Sequence, residues 1–189
     1  MSFPTILIDA NVLITYDVRD ILFRGAEHGL CRIRWTDEIL VETERNLPKV
    51  LRGSDTERIE KATRAVAAMR TAFPGARITG YEYTIGRMRV DPHDRHVAAA
   101  AYHAQVDFIV TFNLKHFPEA ALRPFNLQVL HPDDFLMLCF RISPGICAAI
   151  VRQQARDRIR PARTVVEILA ALFQAAPIFA TAMRAHMDV

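Results

Sequence analysis

Pro4-Thr5-Ile6-Leu7-Ile8-Asp9-Ala10-Asn11-Val12-Leu13 is the stretch whose reading decides the fold. Ile6, Leu7 and Ile8 form an unbroken apolar run between Pro4 and a carboxylate, the pattern of a strand buried on both faces. Asp9 falls where that strand ends. In an open α/β sheet the loops diverge at the carboxyl ends of parallel strands and leave a crevice, so an acid there is a candidate for chemistry. Asp9 is equally suited to capping the helix that follows.

Three further segments read as strands. Cys31, Ile33 and Trp35 alternate with Arg32 and Arg34, the period of a short, partly solvated strand. Phe108 to Thr111 and Leu127 to Leu130 are buried-type runs, and Asn113 follows the first of these as Asp9 follows strand one. Between the strands the spacing is helical. Val18, Ile21, Leu22 and Ala26 share a face, with Gly25 and Gly29 weakening its end, and Thr36 caps a helix that should stop before Pro48. On that helix Glu42 and Glu44 flank the apolar face on opposite sides, and either could lean into a cleft.

Ser54 to Phe73 is an amphipathic helix with Ile59, Ala62, Val66, Met69 and Phe73 on its buried side, and the segment from Pro74 through Gly86 reads as loop with room for a short helix. In Asp91-Pro92-His93-Asp94-Arg95-His96, Asp91 fits an N-cap, Pro92 the first helical position and Asp94 the third. That gives Asp91 a structural job and leaves Asp94 free to face a site. The small residues from Ala98 to Ala104 suit a helix packed close to a sheet.

Strands alternating with helices predict an α/β fold: a three-layer α/β/α domain over residues 1–140 with a central parallel sheet of four to five strands. Beyond Phe140 the pattern is helical only, opened by Ser143-Pro144, by a Thr164/Glu167 capping box and by Pro177. Residues 141–189 therefore read as a C-terminal helical extension, docked on the first domain or serving as an arm for a partner.

Half of the 189 residues are hydrophobic, enough for one substantial core. The start of the chain lacks a basic leader, and no window has the apolar length of a membrane span, which predicts a cytoplasmic protein with no membrane partner. Cys31, Cys139 and Cys147 follow no metal or redox spacing and read as reduced packing residues, while His96 and His103, with no soft ligand at zinc-like spacing, read as surface or helix-packing side chains. Net charge is +3, and with Lys49, Lys61 and Lys115 the only lysines, 21 of the 24 basic residues are arginine. That excess suits phosphate pairing and equally reflects a codon bias. Arg152, Arg156, Arg158, Arg160 and Arg163 could grip RNA phosphates, meet acidic residues of a protein partner, or simply be solvated.

Asp9, one of Glu42 or Glu44, and Asp94 can converge at the strand ends beside Asn113. Packed together they would repel and take up protons unless a hard divalent cation neutralised them. Mg²⁺ and Mn²⁺ suit such all-oxygen sites and keep waters that can attack a phosphodiester.

Taken in order, Ile-Leu-Ile-Asp9-Ala-Asn11-Val-Leu, Glu38-Ile-Leu-Val-Glu42, Asp91-Pro-His-Asp94-Arg-His-Val-Ala and Asp107-Phe-Ile-Val-Thr111-Phe-Asn113-Leu-Lys-His116-Phe-Pro resemble the PIN domain, most closely the VapC-like toxins of type II toxin–antitoxin systems. The resemblance spans roughly residues 4–138. It implies a PIN-like fold, a metal-dependent endoribonuclease acting on RNA, a cognate antitoxin that blocks the site, and in many members a homodimer. By motif, Asp9, Glu42 and Asp94 resemble the catalytic metal ligands, which selects Glu42 over Glu44. Asn11 resembles the polar residue that steadies the first acid, and Thr111 the hydroxyl at the strand end. Many relatives carry an acid at the place of Asn113, or Asp-Phe-Pro where this chain has His116-Phe117-Pro118, so the fourth acid is absent or replaced. His116 is read as an ordinary polar neighbour. The alternative to a nuclease is a catalytically weak PIN-like module that binds RNA or protein.

Overall fold

The computed structural model describes residues 3–158 and 161–189; Arg160, one of the arginines singled out above, lies outside them. β1 (Thr5–Ile8) leads through α1 (Ala10–Ile14) and α2 (Tyr16–Glu27) to β2 (Arg32–Thr36), and α3 (Asp37–Asn46) and α4 (Asp55–Ala72) follow. Next come β3 (Arg77–Ile78), α5 (Arg95–His103), β4 (Phe108–Val110), α6 (Glu119–Leu122) and β5 (Val129–Leu130). The chain continues with α7 (Pro132–Ile142), α8 (Pro144–Asp157), α9 (Val165–Phe173) and α10 (Pro177–Met187).

The strands pair in parallel in the order β3-β2-β1-β4-β5. β1 lies at the centre because its apolar run tolerates cover on both faces: Ile6, Leu7 and Ile8 are fully buried. From β1 the chain steps outward through β2 to β3, then returns to the other side of β1 for β4 and β5. Helices flank this parallel sheet in a three-layer α/β/α domain, as expected from right-handed crossovers between parallel strands. The reversal between β1 and β4 is the topological switch point, where the loops part and leave a crevice.

Local chemistry explains most boundaries. Thr36 Oγ1 accepts from Ile39 N–H at 3.1 Å and starts α3, and Ser54 and Glu57 form a capping box on α4. Gly25 does not end α2, which runs on to Glu27; Gly29, at φ +73°, supplies the left-handed turn, and Leu30 N–H donates to Gly25 C=O at 2.8 Å. Ala98 to Ala101 are fully buried, small enough to seat α5 close against its neighbours.

Three expectations need correction. Part of the segment read as loop after Pro74 forms β3, a two-residue strand that pairs with β2 through Trp35 and Thr36. Ile59 is 58% exposed; the buried side of α4 is Ala62, Val66 and Met69. Helix α5 starts at Arg95, later than the Asp91-Pro92 reading, because Asp91 Oδ1 accepts from His93 N–H at 3.0 Å and closes a turn ahead of the helix.

The helical extension is docked. Ile150, Val151, Ile168, Leu169, Leu172 and Phe179 are buried in one continuous core with β1 and α2. Arg24 bridges Asp20 at 2.8 Å and Asp157 at 2.7 Å. Cys31, Cys139 and Cys147 are free and buried, and burial pushes the Cys31 thiol up to about 12 and that of Cys147 up to about 11. Among the described residues no single helix is long and apolar enough to cross a membrane.

Asp133, on α7 and 4% exposed, accepts from the backbone N–H groups of Ile178 at 2.9 Å and Phe179 at 2.8 Å. A carboxylate from one helix thus satisfies the first orphan donors of another, at its positive dipole end. Asp133→Ala is expected to lower unfolding stability by about 2–3 kcal/mol, leaving two donors without their charged acceptor. Urea unfolding measures the loss, and amide exchange should accelerate first in α10.

Candidate active site

The crevice between β1 and β4 is built from the residues directly after each strand. Asp9 N–H donates to Val110 C=O at 3.1 Å, which joins the two strand ends. Asp9 caps α1 with one oxygen and leaves the other in the crevice. Its Oδ1 accepts from Ala10 N–H at 2.7 Å, capping α1, while Oδ2 accepts from Asn11 Nδ2 and Thr111 Oγ1, each at 2.7 Å. Asn11 Nδ2 also donates to Thr111 Oγ1 at 2.9 Å, its Oδ1 accepts from Phe112 N–H at 3.2 Å, and Thr111 Oγ1 accepts from Asn113 N–H at 3.0 Å. Asn11 and Thr111 therefore fix the carboxylate's orientation. With two oxygens offering about four acceptor positions, Asp9 retains capacity for one more partner.

The second acid arrives on α3. Glu44 leans away, accepting from Thr63 Oγ1 on α4 at 2.6 Å. Glu42 lines a groove of about 620 Å³ with Glu38, Val41, Arg45, His93 and His96, and its charge bears on Asp9. The third acid, Asp94, stands at the N-cap position of α5 and makes no side-chain bond to that helix. Its Oδ2 instead accepts from His116 Nδ1 at 2.8 Å. Asp91 is held beside this pair, its N–H donating to His116 C=O at 3.1 Å and its C=O accepting from Asp94 N–H at 2.9 Å.

The electrostatics follow from burial and like charge. Asp9 is 4% exposed, and its pKa is raised to about 6, first by desolvation and further by the charges of Asp94 and Glu42, against the lowering by its bonds from Thr111 and Ala10. A desolvated carboxylate facing two more acids fits a divalent cation, since one dication relieves both burial and repulsion. Among the described residues, the ligand atoms that lie within 4.8 Å of one another belong to Asp91, Asp94 and His116; Asp9, Glu42 and Asp94 do not close to that mutual distance. Asn113, half-buried, stands beyond Thr111 at the mouth of the crevice.

Residues 5–115 match the PIN domain. The chain belongs to the PIN domain family. Residues 132–185, from the start of α7 into α10, match the VapC50 C-terminal domain. The chain is 37% identical over 123 residues to the "Putative ribonuclease VapC50" of Mycobacterium tuberculosis, covering 65% of this chain and 70% of that protein. No solved structure matches.

Within this PIN domain the sequence reasoning underrated two side chains. Asp91 and His116 meet because the turn at 91–94 and the loop at 113–116 hydrogen-bond through their backbones, a contact without local sequence signal. The arginines divide. Arg152 and Arg156 are exposed, whereas Arg158 stacks 4.0 Å over the Tyr16 ring and, with Arg163, pairs with Asp17 at 3.8 and 3.4 Å. Arg158 and Arg163 thereby help hold the extension onto α2.

A carboxyl whose folded pKa lies above its unfolded value stabilises the fold fully below the unfolded value, and that contribution is lost as pH rises through the folded one. For Asp9 the window runs from about 4 to about 6. In chelator, stability attributable to this group should fall by about 1–3 kcal/mol across that window. Asp9→Asn should flatten this slope and be at least as stable as the parent at pH 7.5. Urea unfolding at pH 4.5 and 7.5 measures both, and a steeper slope in Asp9→Asn would contradict the assignment.

Proposed function

We propose that this PIN protein is a metal-dependent endoribonuclease, the toxin component of a type II toxin–antitoxin system, with Asp9, Glu42 and Asp94 as its catalytic acids. The observation that carries the reading is the buried Asp9 carboxylate at the β1/β4 switch point, pushed upward by burial and by the two other acids. Membership in the PIN family and the likeness to the VapC50 protein support the same reading.

In this reading Asp9, Glu42 and Asp94, with Asn113 offering an amide oxygen, hold Mg²⁺ or Mn²⁺. The bound ion would supply charge stabilisation at phosphorus and a water of lowered pKa. Asn11 and Thr111 aim the Asp9 carboxylate by donating to the same oxygen, and the Thr111 bond opposes the rise that burial imposes on it. His116 hydrogen-bonds Asp94, and Asp91 is tied to both through the backbone. The groove along Glu42 is lined by Asp37 and Glu38 as well as Arg45, His93 and His96; the last three offer phosphate contacts to an RNA strand, and the acids suit a bound cation. Exposed Arg152 and Arg156 offer further phosphate contacts. A cognate antitoxin that covers the groove, a homodimer and a cytoplasmic setting complete the proposal, together with the division into a nuclease domain, 1–140, and an extension, 141–189.

A second reading, a binding module with little catalysis, is favoured by one observation: Asn113 and His116 occupy places where an acid would complete the set. The two readings separate on one assay. Cleavage of single-stranded RNA with Mn²⁺ is expected from the parent and none in chelator. Asp9→Asn, Glu42→Gln and Asp94→Asn should each lower the rate at least about a hundredfold. Glu44→Gln, which keeps an acceptor for the Thr63 hydroxyl, should leave it unchanged. RNA bound but uncut by the parent with every dication tried would favour the second reading.

A further inference from the structure

We infer that Asp91, Asp94 and His116 form a mixed nitrogen–oxygen cation position, which makes this centre select a first-row transition-metal ion over Mg²⁺. The inference takes its setting from the nuclease reading above, but its ligands stand on their own geometry. One ligating atom from each of the three side chains lies within 4.8 Å of the others. Ions of this class hold imidazole nitrogen and carboxylate oxygen at about 2.0–2.2 Å, so donors this close need only small rotations to share one.

The backbone holds them there. Asp91 N–H donates to His116 C=O at 3.1 Å, and Asp94 N–H donates to Asp91 C=O at 2.9 Å, so the two loops cannot part without breaking main-chain bonds. Asp94 spends no side-chain bond on capping α5 and is turned to His116 instead. The side chains of His116 and Asp94 are 30% and 16% exposed, enough for entry from solvent and shielded enough that a bound ion would lose part of its hydration.

The donor set then decides which ion. Mg²⁺ asks for oxygen in near-ideal octahedral geometry and dehydrates reluctantly. An imidazole nitrogen adds little for Mg²⁺ and much for Zn²⁺ or Fe²⁺, with Mn²⁺ between. Replacing His116 by aspartate would restore an all-oxygen set and remove that preference.

The test uses the full chain stripped with chelator and titrated calorimetrically with Mg²⁺, Mn²⁺ and Zn²⁺. Electron spin-echo spectra of the Mn²⁺ form provide the second readout. In the parent, bound Mn²⁺ should show the nitrogen modulation of a ligating imidazole, and both His116→Asp and His116→Gln should lose it. The ratio of Zn²⁺ to Mg²⁺ affinity should fall at least about tenfold in His116→Asp, and Asp91→Asn should weaken Zn²⁺ by a similar factor. Thermal melts confirm that each variant folds, and His116→Gln carries the comparison if the aspartate variant does not. Nitrogen modulation absent from the parent, modulation that persists in both His116 variants, or an unchanged affinity ratio overturns the inference. Cleavage by Mg²⁺ and Mn²⁺ alike without a nitrogen signal sinks this inference and spares the nuclease reading. A nitrogen signal without cleavage by any ion does the reverse.

Discussion

Like charge confined in a low-dielectric crevice is the constraint from which the architecture around the site follows. Asp9 cannot be moved into water, since it caps α1 and ends the central strand, and it cannot be neutralised by a neighbouring cation, since the side chains facing it include two more acids. Such an arrangement costs folding energy and persists only where the rest of the chain over-determines it. Three donors fixed by β1 and β4 perform that task here: the Ala10 amide, the Asn11 side chain and the Thr111 hydroxyl. The strain is local and the support comes from the sheet.

That support extends to the far side of the molecule. The core under β1 is continuous with the helical extension, so the layer that carries the acids and the layer formed by α8 to α10 share buried side chains. Arg24, Arg158 and Arg163 fasten the same junction with ion pairs to Asp157 and Asp17. Partly exposed pairs of this kind contribute little each; the apolar contact does most of the holding.

Much of this was legible in sequence because the deciding signals were local. An apolar triplet ending in Asp9, the alternation of Cys31 to Trp35, Thr36 as a cap and the Thr164/Glu167 box each involve residues within a few positions of one another, and each holds. What was not legible depends on distant partners. β3 has no apolar run of its own and exists through pairing with Trp35 and Thr36. Asp91 has the sequence context of an N-cap, yet its side chain closes a turn at His93 and its backbone N–H goes to the loop carrying His116, so the helix starts later. Glu42 and Glu44 flank the same helical face, and only the Thr63 hydroxyl on α4 shows which one is occupied elsewhere. Nothing local to His116 marks it, for the same reason: its partners lie 22 and 25 positions away in the chain.

The remote cap on α10 has a bearing on how the molecule comes into being. Asp133 leaves the ribosome well before Ile178 and Phe179, the groups that give its charge a home. The contact that joins α7 to the start of α10 can therefore form only after residue 179 has been synthesised. The residues that shape the crevice are complete in sequence more than sixty residues earlier, at His116.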